Sequence, residues 1–447
     1  MFRSPLTCLE EYMLCDDRPS HPMTVVLRLR FSGSLNRAAW EAAVALTVQR
    51  HVLLRSTVAR GRWRRLRWVE HPGWCPTVVW DSAVNRYGLP PMVGIDLRQE
   101  PGLRVWVVAG REGDEAVFQV HHACSDGLGV VRMAEDLLLG YAQQLGTREA
   151  GSALPTIDDR GLRQRGAPGL SVWGLLTTAH HQAVGLLGAW EFLSRSPVPL
   201  VPSSAALDET VPPSAFPCAL THTLDPDETR RLFEAAKSLG VTVNDLLVRD
   251  MFLAVAAWRT ARGWGSGEDW LRFAVPVNLR RAEEERMPAA NSVSLVFLDR
   301  RPADCADPER LLDGVRRQMQ VIKRHRLGYT FVLSLGLARL LPGGMSSRTR
   351  AGKCQISGVF SNFGVVLARV PLPRRDGRLV CGNVVLEAAD FVIPRRPHVD
   401  AAFSVCTYAG RLHVLLHADP RVVSEEAGRQ LLLSFVQGVR RSAERTG

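Results

Sequence analysis

The sequence predicts an α/β protein built as two similar lobes. Three observations carry that expectation. The chain has 447 residues, long for one compact core and comfortable for two. Strand-like and helix-like segments alternate in both halves and recur in a similar order. Between the halves, from about Thr147 to Pro217, Pro, Ser and Gly residues gather around one apolar segment. The expected division is an N-terminal lobe over 1–165, a crossover over 166–215 and a C-terminal lobe over 216–447.

Each element has a local reason. VVLRLRF, Val25 to Phe31, is dense in β-branched and aromatic residues and reads as a strand. The helix that follows has Asn36 as its N-cap and an apolar side of Ala39, Ala43, Leu46 and Val48. LLRSTVA opens another strand, with further strands near Arg64–Val69 and Arg104–Val108. DEAVFQV, Asp114 to Val120, is a short strand after an acidic turn. Next comes a helix from about Gly127, with Ser125 as cap, Asp126 in its first turn, and Val130, Ala134, Leu137, Leu138 and Tyr141 buried. In the crossover, Leu170–Leu193 reads as a helix packed between lobes. Its His180–His181 pair lacks a following acid and reads as ordinary surface or interface residues.

The C-terminal lobe begins near Ala219. LDPDETRRLFEAAKSLG is a capped amphipathic helix, and a second starts after Thr242 or Asn244 and stops at Gly263. LRFAVPVNLR is a strand ending in Arg280, and NSVSLVFLDR is another. Ala401 to Asp419 gives two strands about a Gly-containing turn. The closing helix has Ser424 as cap and Glu425 and Glu426 at its positive end.

Composition limits the function. The net charge of +11 invites a nucleic-acid partner. However, only Lys237, Lys323 and Lys353 are lysines, so the excess is arginine and reads as codon bias. RGRWRRLRWVE, Arg60 to Glu70, is read as a twisted strand whose arginine stems cover apolar surface. No nucleic-acid partner is expected. The acidic start does not resemble a cleaved signal, and no run of about twenty apolar residues offers a spanning helix, so neither is expected. The nine cysteines show no CxxC pair and no metal-ligand spacing. A cytoplasmic monomer with reduced thiols and no metal is expected.

The chemistry concentrates in QVHHACSDGLGVV, Gln119 to Val131. Side chains alternate along a strand. Ala116, Phe118, Val120 and His122 would share one face, and Val117, Gln119 and His121 the other. The two histidines therefore have different jobs. Cys124 reads as a small packing residue.

HHACSDG, His121 to Gly127, matches the HHxxxDG signature of the CoA-dependent acyltransferase superfamily. That superfamily includes chloramphenicol acetyltransferase, nonribosomal condensation domains, plant and polyketide-associated acyltransferases, and wax ester synthases. Further stretches resemble it in order. Gly33–Val58 resembles its early helix and "RHPLLR" segment, and GVTVNDLLV (Gly240–Val248) its "TxND" helix start. FAVPVNLR and AANSVSL resemble the opening of its second sheet, and SGVFSNFGVV (Ser357–Val366) its "SNxG" segment. The DFGWG motif of the plant and chloramphenicol branches is absent; with no carrier or adenylation region in the sequence, a free-standing protein is the expectation.

The resemblance implies chloramphenicol-acetyltransferase-like lobes with a channel between them. His122 would sit mid-channel as general base, sharing an apolar tunnel wall with Phe118 and Val120. His121, Asp126, Gly127 and Arg280 would be structural, with Arg280 pairing Asp126. Oxyanion contacts would come from backbone around Gly127, or from Ser361 and Asn362. The implied co-substrate is an acyl-CoA or acyl-carrier thioester, the acceptor an alcohol or amine, with no permanently bound cofactor. A carrier protein and a weak membrane-surface contact are further expected partners. The alternatives are a lipid (wax ester or diacyl) O-acyltransferase, whose opening YMLCDDRPSHPMTVVLRLRF resembles, and a non-catalytic protein that keeps the fold.

Overall fold

A computed structural model of the protein describes residues 2–61, 65–151, 153–165, 185, 188, 190–202, 210–213, 215–265, 267–281, 284–349 and 352–444. The His180–His181 pair, most of the apolar crossover segment and Arg62–Arg64 of the basic strip lie outside the described residues.

The N-terminal half supplies strands β1 (Arg3–Pro5), β2 (Thr24–Ser32), β3 (Ser56–Arg60), β4 (Leu66–Glu70), β5 (Val78–Trp80), β6 (Leu103–Ala109) and β7 (Asp114–His121). Its helices are α1 (Cys8–Asp16), α2 (Arg37–Arg50), α3 (Gly127–Gln144) and the short α4 (Arg160–Gln164). The C-terminal half supplies β8 (Ala219–Thr223), β9 (Leu271–Asn278), β10 (Val293–Arg300), β11 (Gly358–Val365), β12 (Arg374–Arg375), β13 (Arg378–Cys381), β14 (Val384–Val392), β15 (Ala401–Tyr408) and β16 (Arg411–Ala418). Helices α5 (Pro226–Ser238), α6 (Val243–Thr260), α7 (Pro308–Arg324), α8 (Gly328–Leu340), α9 (Gly344–Thr349) and α10 (Glu425–Glu444) complete it.

The first sheet has the order β12-β13-β14-β2-β7-β6-β5, the second β10-β9-β11-β15-β16-β8, and a small third sheet β1-β4-β3. The expected division by sequence places β12, β13 and β14 in the C-terminal half, yet they pair into the first sheet. The reason is local. β14 is buried at almost every position. Such a strand belongs in a sheet interior covered on both faces, and here it lies between β13 and β2.

β2 and β7 run antiparallel, with Leu27 opposite Phe118 and Thr24 opposite His121. On one face of β7, Ala116, Phe118 and Val120 join the core under α2 and α3. There the Phe118 ring lies 6.2 Å from Trp40. On the other face, Val117 joins Val26, Trp106, Val392 and Leu415, where the two large sheets meet. The expected apolar tunnel beside Phe118 and Val120 is therefore packed core.

Other local expectations also shift. In α2 the anticipated Ala39, Ala43 and Val48 are buried, joined by Trp40, Val44 and Thr47, while Leu46 is 38% exposed. Asp126, not Ser125, caps α3 by accepting from Gly129 N at 2.9 Å. Thr242 caps α6 in a reciprocal box with Asp245. β9 stops at Asn278, leaving Arg280 in the connection to β10. Among the described residues, no helix is long and apolar enough to cross a membrane.

Candidate active site

β7 ends at His121, and the next residues turn into α3. His122 thus lies beyond the strand, and alternation no longer decides where it points. Its backbone N–H donates to Met23 O at 2.8 Å, while His121 N–H donates to Gly102 O at 2.9 Å. Gly102 is required there, because a Cβ would lie 2.3 Å from Cys124 Sγ. Burial pushes the Cys124 thiol well up, so it packs and stays protonated.

The two histidines have different surroundings. The His121 side chain is fully buried. Its Nδ1 accepts from Ala123 N–H at 3.0 Å, and its Nε2 stands 3.5 Å from Asp17 Oδ2. His122 is half-buried, and its buried Nδ1 has no well-formed hydrogen bond. Burial lowers the His122 pKa from the ordinary 6.5; nearby backbone at His122 and Ser125 and the charge of Asp126 oppose this, and His121 adds to it. The imidazole is therefore neutral near neutral pH.

Asp126 is buried and fully satisfied. Arg280 Nη1 donates to Oδ2 at 2.8 Å and Nη2 to Oδ1 at 2.9 Å. Ser292 N–H donates to Oδ2 at 2.7 Å. With the Gly129 cap, the carboxylate accepts four bonds, two of them from a planar guanidinium fork. Arg280 Nη2 also donates to Ala290 O at 2.8 Å.

A second clamp comes from the same β9–β10 connection. Asn291 Nδ2 donates to His122 O at 2.7 Å and to Ala123 O at 2.8 Å. One residue earlier in that connection is Ala290. Ala289 N–H donates in turn to His51 Nδ1 at 2.9 Å, and His51 Nε2 is 3.4 Å from Asp136 on α3. Asn291, Ser292 and His51 were absent from the sequence-derived site. Asn291 and His51 carry a signal, a polar residue in an apolar run and a histidine in the QRHVLLR segment; Ser292 acts through its backbone N–H and carries none.

Gly127 lies against Phe363 of β11. A Cβ at Gly127 would come within 2.3 Å of the ring, which is stacked on Phe391 at 4.3 Å. β11 thus touches the motif through Phe363. Among the described residues, Ser361 and Asn362 make no hydrogen bond to it. Asn362 bonds Asn244 on α6 at 3.3 Å and Gly364 N–H at 2.8 Å.

Two large sheets, with a histidine turn pinned by a carboxylate–guanidinium pair where the halves meet, define an acyltransferase-like architecture. Comparison with known proteins supports the CoA-dependent acyltransferase superfamily for this chain. A family model described as the WS/DGAT C-terminal domain matches residues 289–436. A Mycobacterium tuberculosis protein provisionally named a diacylglycerol O-acyltransferase is 26% identical over 294 residues, covering 62% of this chain and 60% of the relative. The match thus spans 60% of that relative's length. An uncharacterised M. tuberculosis protein is 24% identical over 314 residues, 68% of each chain.

Solved structures share the fold over nearly the whole chain. The first condensation domain of the CDA synthetase superposes with TM-score 0.70 at 16% identity, over 99% of this chain and 96% of that one. Polyketide synthase associated protein 5 from M. tuberculosis gives 0.65 at 14%, over 99% and 98%. A starter condensation domain of rhizomide synthetase, solved with C8-CoA and Leu-SNAC, gives 0.66 at 16%, over 99% and 94%.

Proposed function

We propose that this protein transfers an acyl group from a CoA or carrier-protein thioester to a hydroxyl or amine, with His122 as the general base. The observation that carries this reading is the clamped turn. It presents a neutral imidazole on backbone held by Met23, Asn291 and, through Asp126, Arg280.

The step balances without an acyl-enzyme. His122 takes the acceptor's proton as the acceptor oxygen or nitrogen attacks the thioester carbonyl. The tetrahedral intermediate collapses, the C–S bond breaks, and His122 returns the proton to the departing thiolate. Base catalysis of this kind supplies ~10²–10⁴-fold. The rest falls to alignment of two bound substrates and to donors for the oxyanion. We assign the oxyanion to backbone around Gly127 at the start of α3, since Asn362 is engaged with Asn244 and Gly364. His121, Asp126 and Arg280 hold the turn without touching substrate.

The test is release of free CoA, followed with a thiol reagent, from a series of acyl-CoAs offered alcohols and amines. Turnover that vanishes in His122→Ala supports the reading. A protein with no turnover on any thioester, or a His122→Ala variant that keeps it, refutes it; the first outcome favours the non-catalytic binder.

Within acyl transfer, two findings favour a lipid acceptor. The WS/DGAT C-terminal match and the provisional name of the 26%-identical relative point to long-chain alcohols or diacylglycerol. Mass spectrometry for wax esters or triacylglycerol in the same assay tests this narrower version.

A further inference from the structure

Helix α8 (Gly328–Leu340) is apolar around most of its circumference. Its one charged residue is Arg339, and Arg339 is spent on Glu11 of α1 at 3.0 Å. A helix of that composition is ordinarily buried on all sides or set in lipid. This one is neither sealed nor polar outside. Its inner stripe, Phe331, Leu335 and Ala338, faces protein: Phe331 stands edge-on to Tyr12 and to Phe297, each at 5.8 Å, and Leu335 and Ala338 are buried. Its outer stripe faces solvent. Leu333, Leu337 and Leu340 follow the i, i+4, i+7 spacing of one helix face. They are 38%, 62% and 82% exposed, and Leu341 beyond the helix end is 44% exposed. A contiguous patch of this kind marks a contact surface.

The charge around that face indicates the contact. From Gly314 to Lys353 the chain holds nine Lys or Arg residues and no Asp or Glu. Two of the protein's three lysines fall there. Lys323 and Arg324, in the last turn of α7, and Arg326, in the turn that feeds α8, are exposed. Exposed leucines on a helix too short to span a bilayer, in a stretch whose formal charges are all basic, match the pattern of an interfacial element on an anionic lipid surface. Beside α8 lies a cavity of about 1220 Å³, whose walls include Leu295, Phe297, Ile322, Phe331 and Leu335 and also Leu337 of the outer stripe. β10 forms part of its floor, and that strand begins one residue after Ser292, which bonds Asp126.

We propose that the outer face of α8, with Lys323, Arg324 and Arg326, docks on an anionic lipid surface. This contact is separate from the acyl-transfer chemistry and stands or falls independently of it.

The experiment is flotation of the full chain with vesicles of phosphatidylcholine alone and of an equal mixture with phosphatidylglycerol. Binding is expected to the mixed vesicles only, and to weaken with salt. Leu337→Asp with Leu340→Asp should lower partitioning at least ~10-fold, because two exposed leucines lose their apolar burial. Lys323→Ala with Arg324→Ala should lower it roughly 25-fold, at about fivefold per basic residue near such a surface. His122→Ala should float like the parent, and both surface variants should keep the parent's turnover of a soluble short-chain acyl-CoA. No flotation with the mixed vesicles, or equal flotation of the parent and both surface variants, overturns the proposal. So does a dimer seen by light scattering that dissociates in the leucine variant without any vesicle binding, which would assign the face to a second copy.

Discussion

Removing either partner of the Asp126–Arg280 pair should cost more stability than the pair itself contributes. Both groups are almost entirely withdrawn from solvent, with side-chain exposures of 3% and 10%. Breaking a buried ion pair by deleting one partner costs ~3–5 kcal/mol, because the other is left buried and unpaired. The structure distributes that cost unevenly. Arg280→Leu leaves Asp126 with two donors, Gly129 N–H and Ser292 N–H. Its loss should sit near the lower end, ~3 kcal/mol. Asp126→Ala also removes the cap of α3, worth ~1 kcal/mol, and strands the Ser292 N–H, worth ~1–3 kcal/mol. It should lie at or above ~5 kcal/mol. The double variant relieves the orphaned charge and should fall clearly below the sum. Urea unfolding of the parent, both single variants and the double variant measures all four corners. Strict additivity, or a costlier loss for Arg280→Leu than for Asp126→Ala, would refute the reasoning.

Four further outcomes are expected. His122→Ala should lose turnover with an unchanged melting temperature, and the acid limb of kcat/KM in the parent should lie below pH 6.5: the base works when neutral, burial lowers its folded pKa, and activity falls only as pH drops through that lowered value. His121→Ala should lose stability more than turnover, by about 1–3 kcal/mol for the stranded Ala123 N–H alone, read by thermal and urea melts. Asn291→Ala frees the His122 and Ala123 carbonyls, so kcat should drop ~10²-fold with KM and the acid limb little changed; an unaltered kcat would remove Asn291 from any positioning role. Gly127→Ala drives a methyl into the Phe363 ring and should cost ~1–3 kcal/mol, recovered in part by Phe363→Leu; no recovery would mean that the ring is not the obstacle.

The features legible in the sequence were those set by local chemistry. Alternating and apolar runs marked β2, β7, β9, β10, β15 and β16, and cap residues such as Asn36 and Ser424 marked helix starts. The two-lobed α/β class followed from their order. Long-range pairing was not legible. Nothing near β14 states that it belongs beside β2, more than 350 residues earlier, because a strand buried on both faces carries no mark of which sheet buries it. The tunnel expected beside Phe118 failed for a related reason. Periodicity shows that a face is buried, but a core helix and a substrate channel both bury it.

The candidate site was legible at its motif and illegible at its supports. His121, His122, Asp126 and Gly127 stand together in sequence, so their company is visible at once. Their supports come from elsewhere in the chain: the Asn291 side-chain amide holds the carbonyls of His122 and Ala123, and Ser292 reaches Asp126 by its own backbone N–H. A backbone donor leaves no trace in residue identity. Arg280, Asn291 and Ser292 also share one connection between β9 and β10, so their effects on His122 are coupled. A displacement of that connection would move the guanidinium from Asp126 and the amide from the His122 carbonyl together. Asn291→Ala and Arg280→Leu should therefore combine non-additively in kcat, though neither side chain hydrogen-bonds the imidazole.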